Sequence, residues 1–193
     1  MARSALDQAL GHAESRLGET TSRLADLVRV PSVSAEGFPP AEVRRSAEAT
    51  AELLREAGLE NVRLLEMRGQ HPYVYADWAR LPGAPTLLVY GHHDVQPPGR
   101  PEKWATPAFE PTARNGRLYG RGAVDDKGTF ITHVAAARAW LETSGRLPLN
   151  LKFLIEGEEE IGSPGLDAFL KRYGRLLSAD VAVLADTGNF EVG

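Results

Sequence analysis

The stretch Pro85-Thr-Leu-Leu-Val-Tyr-Gly-His-His-Asp-Val-Gln-Pro97 runs from a short continuous apolar segment directly into two imidazoles and a carboxylate. A run of this length, bounded by proline and glycine, reads as a strand buried on both faces at the centre of an α/β sheet. In open sheets of that kind ligands bind beyond the carboxyl ends of the strands, so His92, His93 and Asp94 fall where chemistry is expected. Side chains alternate on an extended backbone, which puts His92 and Asp94 on one side and His93 on the other. Asp94 is then placed to orient the His92 imidazole, as supporting carboxylates do in metal sites. A polar loop after a strand would carry the same triplet, so the cluster does not decide the matter alone.

Toward the N-terminus, Leu6, Leu10, Leu17, Leu24, Leu27 and Val28 recur at helical spacing and predict a helix over 5–29, interrupted near Gly18 and stopping before Pro31. A Ser/Pro/Gly loop follows over 31–37, then a second amphipathic helix over 41–57 closed by Gly58. Residues 62–67 and 73–78 read as neighbouring strands. Toward the C-terminus, Asn115-Gly116 between 110–114 and 117–119 is a hairpin signal. The pattern then predicts a helix over 128–143 capped by Gly145, a buried strand over 149–156, a helix over 166–173 and a strand over 180–184 that delivers Asp186. Thr187 to Gly193 supplies no closing helix. Alternation of this kind predicts an α/β fold: a mostly parallel sheet with helices on both faces.

Three more acidic features stand at predicted strand ends. Tyr119-Gly-Arg-Gly-Ala-Val-Asp-Asp-Lys-Gly128 joins a strand to a helix; Asp125 and Asp126 either favour the helix dipole or hold cations. Glu156-Gly-Glu-Glu-Glu-Ile-Gly-Ser163 crowds glutamates that repel one another unless a cation or a shared proton relieves them, although a solvated acidic turn is the plainer reading. A carboxylate with its pKa raised by such neighbours also suits a general base. Asp186 is the last. An imidazole and several acids recurring at successive strand ends of one sheet is what a site for divalent metal requires, and hydrolysis is the reaction implied.

Composition narrows the partners. The 193 residues are 42% hydrophobic and 25% charged, enough for one buried core, and the formal charge of -4 provides no basic stripe for nucleic acid or a membrane surface. No stretch approaches the roughly 18 consecutive apolar residues of a membrane span, and the N-terminal residues lack a signal peptide's apolar centre, so a cytoplasmic location is expected. With no cysteine, any metal is held by imidazole and carboxylate.

Taken in order, GHHDVQP, YGRGAVDDKG, EGEEEIGS and the strand-end LAD resemble the co-catalytic di-zinc hydrolases that include carnosinase-type dipeptidases, aminoacylase, succinyl-diaminopimelate desuccinylase and glutamate carboxypeptidases. The resemblance implies a zinc-peptidase-like three-layer sandwich and two divalent ions, zinc in the first instance, with manganese or cobalt as alternatives. It makes His92 and Asp186 ligands of the first metal, Asp125 the bridge, Glu160 a ligand of the second, Glu159 the general base and Asp94 the residue that orients His92. Glu158 and Asp126 are given no ligand role, and the Asp125–Asp126 peptide bond is expected to be cis. The DVQP and DDKG wording, Trp104-x-x-x-x-Phe109 and Asp at 186 are most similar to the dipeptidase and carnosinase branch. Expected substrates are a dipeptide or an N-acyl amino acid, and the parent protein is expected to be a homodimer. Family members run to more than twice this length, so 1–193 is expected to be the N-terminal portion of the catalytic domain. A lid or dimerisation domain and the segment supplying a last histidine to the second metal would then lie outside it, leaving the fragment inactive alone. The alternative is a non-catalytic metal-binding or interaction module. His12, His71 and His133 are read as structural.

Overall fold

The computed structural model describes residues 4–184 and Asp186. In chain order its elements are α1 (Ala5–Ser15), α2 (Leu17–Val28), α3 (Pro40–Glu56), β1 (Glu60–Leu65), β2 (Tyr73–Trp78), β3 (Thr86–His92), β4 (Thr112–Arg114), β5 (Arg117–Tyr119), α4 (Lys127–Ser144), β6 (Asn150–Glu156), α5 (Leu166–Leu177) and β7 (Val181–Leu184). The expectation about Thr187 to Gly193 lies outside the described residues. No described helix is long and apolar enough to cross a membrane.

Five strands form the central sheet in the order β1-β2-β6-β3-β7, and β4 and β5 form a separate hairpin. The expected α/β architecture is present, but the sheet is mixed, not mostly parallel. β1 pairs antiparallel with β2 and β2 antiparallel with β6, whereas β3 runs parallel to both β6 and β7. The link between β1 and β2 is too short for the crossover of a dozen or more residues that parallel pairing needs. Where a helix intervenes, as α4 does between β3 and β6, the parallel arrangement returns.

Alternation along the strands sends apolar side chains to both faces. Val74, Ala76, Val89, Phe153 and Ile155 meet Leu27, Ala47, Leu54, Phe130 and Val134 from α2, α3 and α4 on one face. Tyr73, Tyr75 and Leu154 meet Phe169 and Leu177 of α5 on the other, with the Tyr73 and Phe169 rings stacked at 3.9 Å. Burial of Leu177 explains why α5 continues past the predicted end at 173 through Gly174, whose cost of about 1 kcal/mol in a helix it outweighs. The first predicted helix is two. The break is at Arg16, not Gly18, and Arg16 pairs there with Glu19 at 2.6 Å and Glu142 at 3.5 Å. In the hairpin Asn115 and Gly116 both have positive φ, as a two-residue turn between twisted strands requires.

Candidate metal centre

Parallel pairing aligns the ends of β3, β6 and β7, with His92 in register with Glu156. His92 is the last residue of β3 and fully buried. Its Nδ1 lies 3.0 Å from Asp94 O and 3.4 Å from Asp94 Oδ1, so this nitrogen is occupied by Asp94. Its Nε2 faces the acids: Asp125 Oδ1 at 3.0 Å, Glu159 Oε2 at 3.9 Å and Asp186 Oδ2 at 3.9 Å. Burial opposes a charge on this ring, but the hydrogen bond and field of Asp94, with Asp126 and Asp125, lift its pKa to about 10.

Asp125 is largely exposed at the turn before α4, and the bond to Asp126 is cis. Glu159 and Glu160 open a 3₁₀ turn directly after β6. Glu159 is pushed up first by burial and then by Asp186 and Glu160, against the field of His92. Glu160 is raised first by burial, opposed by a hydrogen bond from Gln96. Gln96 grips this residue three ways, through its N–H to Oε1 at 3.1 Å and its Nε2 to Oε2 at 2.7 Å and to the backbone O at 3.0 Å.

Asp94 joins the two halves of the site. Fully buried, it accepts Ser34 Oγ at 2.6 Å and the Glu160 N–H at 3.1 Å on Oδ2, and the Glu159 N–H at 3.3 Å on Oδ1. Burial disfavours its charge, yet the hydrogen bonds from His92 and Ser34 prevail and hold its pKa below the usual carboxylate value.

One donor atom from each of His92, Glu159 and Asp186 forms a group with all atoms within 4.8 Å, and so does one from each of His92, Asp125 and Glu160. An imidazole with hard oxygens at that spacing fits divalent metal of the zinc type. All six residues singled out in the sequence, His92, Asp94, Asp125, Glu159, Glu160 and Asp186, are thus brought together. Among the described residues no such group includes His12, His71 or His133. His12 pairs with Glu142, and the His71 N–H donates to Glu158 Oε1 at 2.6 Å.

Several residues given no ligand role support the site or the interior behind it. Buried Asp126 accepts the His92 N–H at 3.0 Å, and a Cβ at Gly91 would overlap that same carboxylate oxygen, which accounts for glycine there. Glu156 accepts the hydroxyls of Tyr73 at 3.2 Å and Tyr90 at 2.7 Å, so it and Glu158 serve the interior while Glu159 and Glu160 serve the site. His93, as alternation predicted, points away: its Nε2 meets Pro72 O at 3.0 Å, and burial drops its pKa to about 4. Trp104 and Phe109 line a cavity of about 530 Å³ in the loop after Pro97.

Comparison with known proteins identifies the chain's relatives. Residues 88–192 match the sequence model of Peptidase family M20/M25/M40. The chain is 32% identical over 193 residues to the Cys-Gly metallodipeptidase of Schizosaccharomyces pombe, covering 94% of this chain and 40% of that protein. It is 42% identical over 111 residues to the cysteinylglycine-S-conjugate dipeptidase of Corynebacterium striatum, covering 57% of this chain and 24% of that protein. The structure of human carnosine dipeptidase 1 superimposes with a TM-score of 0.84 at 31% identity, over 97% of this chain and 42% of that one. The chain therefore spans less than half the length of these relatives.

Proposed function

Because the chain belongs to peptidase family M20/M25/M40, we propose that a protein of its relatives' full length, of whose catalytic domain 1–193 is the N-terminal portion, hydrolyses the amide bond of a dipeptide or N-acyl amino acid. The observation that carries this reading is the convergence of His92 Nε2 with Asp125, Glu159 and Asp186, and of Glu160 with His92 and Asp125. His92 and Asp186 would hold one ion, Glu160 the second, and Asp125 both. Divalent metal bound there, zinc by its donor set, supplies the Lewis acidity that polarises the scissile carbonyl and acidifies the attacking water.

The chain's own groups do the rest. Glu159 takes a proton from the water and delivers it to the departing amine; its raised pKa suits both directions of transfer. Asp94 keeps the His92 imidazole turned so that Nε2, not Nδ1, faces the acids. The test is titration of zinc into the wild-type chain and into His92→Ala. Expected is a loss of affinity of at least about tenfold, the lower end for disturbing a metal shell; equal affinity for the two proteins sinks the assignment.

A further inference from the structure

The connection from α2 to α3 carries no metal donor, and the proposed chemistry makes no use of it. Its first half is nevertheless held like a core strand. Val30, Ser32, Val33 and Ser34 are all buried. Val33 forms an isolated parallel bridge with Val95, whose N–H donates to Ser32 O at 3.0 Å. Ser32 Oγ donates to His93 O at 2.7 Å, and Lys127 Nζ donates to Val30 O at 3.0 Å and Leu27 O at 2.9 Å. This strap therefore lies along 93–95, directly after the ligand-bearing strand.

Three buried hydroxyls reach that segment, and they do different things. Ser32 and Ser46 both donate to the backbone carbonyl of His93, a residue whose own N–H is held by Glu156 O at 2.8 Å. Ser34 donates to the Asp94 carboxylate at 2.6 Å, a group whose terminal torsion is intrinsically broad. Its hydroxyl is the only one of the carboxylate's hydrogen-bonding partners described above that does not itself belong to a metal-site residue. It comes from a rigid strap on a one-carbon arm, so it can set the plane of the carboxylate independently of the site.

We propose that Ser34 is a positioning residue for the metal centre: it fixes the Asp94 carboxylate, and through it the aim of His92 Nε2 and the seat of the Glu159–Glu160 turn. The inference rests on the reading of His92 as a ligand. Without the hydroxyl, Asp94 Oδ2 keeps only the Glu160 N–H and Oδ1 only the longer contacts to the Glu159 N–H and His92 Nδ1, so the carboxylate plane is less firmly set. The ligands themselves are untouched, so the loss shows as weaker metal binding and not as a changed donor set.

The experiment is zinc affinity by competition with a chromophoric chelator, alongside thermal unfolding, for the wild-type chain, Ser34→Ala, Ser34→Thr and Ser32→Ala. Expected for Ser34→Ala is about tenfold weaker zinc binding, the lower end for a supporting partner of a ligand. Ser34→Thr keeps the hydroxyl and should stay within about threefold of wild type, well below that range. Ser32→Ala should lose thermal stability without losing affinity. Ser34→Ala binding like wild type, or Ser32→Ala losing as much affinity as Ser34→Ala, overturns the proposal. If Ser34→Ala does not fold, Ser34→Val, threonine's shape without the hydroxyl, is compared with Ser34→Thr; weaker binding by Val supports the role, and equal affinity overturns it. A wild-type chain that takes up no zinc overturns the metal reading itself, a result distinct from a Ser34 variant that binds normally.

Discussion

Asp94 Oδ2 accepts the backbone N–H of Glu160 at 3.1 Å, so the carboxylate that turns His92 also anchors the next metal-site segment. Among the described residues its hydrogen-bonding partners are all donors: His92 Nδ1, Ser34 Oγ and two amides. Asparagine in its place would aim an NH₂ at a donor whichever way it turned. Asp94→Asn is therefore expected to weaken zinc binding almost as much as Asp94→Ala, in the range of about 10- to 100-fold. Isothermal titration of both variants checks this; an Asn variant close to wild type contradicts it.

Glu159 lies 3.9 Å from His92 Nε2 and shares a donor group with His92 and Asp186, a position open to both a base and a ligand. As base, Glu159→Gln in a full-length protein should lower kcat by about 10²- to 10⁴-fold with zinc affinity unchanged. Steady-state kinetics and metal titration on the same preparation separate the roles, since a lost ligand would show in both.

His93 supplies a pH dependence of folding. Its pKa is about 4 in the folded chain against the ordinary 6.5 of an exposed imidazole, so between these values the unfolded chain binds the extra proton. Stability contributed by the neutral ring is present above pH 6.5 and is lost as the pH falls toward 4. At 1.36 kcal/mol per unit this amounts to about 3 kcal/mol. His93→Gln keeps a donor for Pro72 O but does not titrate. Urea unfolding from pH 7 to pH 4.5 should show a shallower decline for the variant, and identical slopes would contradict the assignment.

On the reading above, the 193-residue chain offers three donors to the first ion and only Asp125 and Glu160 to the second. Purified chain should bind one zinc ion, with any second at least about tenfold weaker, and should not turn over dipeptides. Stoichiometry by titration and a dipeptide assay test this; brisk zinc-dependent hydrolysis by the chain alone would refute it.

The fold was legible where periodicity and burial coincide. The apolar run at 85–90 is β3, and Tyr73–Trp78 is β2 with the predicted ends. Insertion of β6 between β2 and β3 was not legible, because strand order depends on which faces pair at long range and not on any local pattern. The site divides likewise. Acids and imidazole at strand tips announce themselves by type and place. Ser34 and Gln96 do not, since a serine in a Ser/Pro loop and a glutamine before two prolines are ordinary until folding brings them to Asp94 and Glu160. The four glutamates of the third cluster could not be sorted by sequence either; the 3₁₀ turn at Glu159 is what separates interior from site.

Lys127 ties the site to a distant part of the chain. Its buried ammonium reaches from the start of α4 to the carbonyls of Leu27 and Val30, some hundred residues earlier in the chain. The turn holding Asp125 and Asp126 is thereby tethered to the end of α2 and the residues just after it. The first thirty residues supply no donor to the metal groups, yet through these two carbonyls they bear on where Asp125 stands.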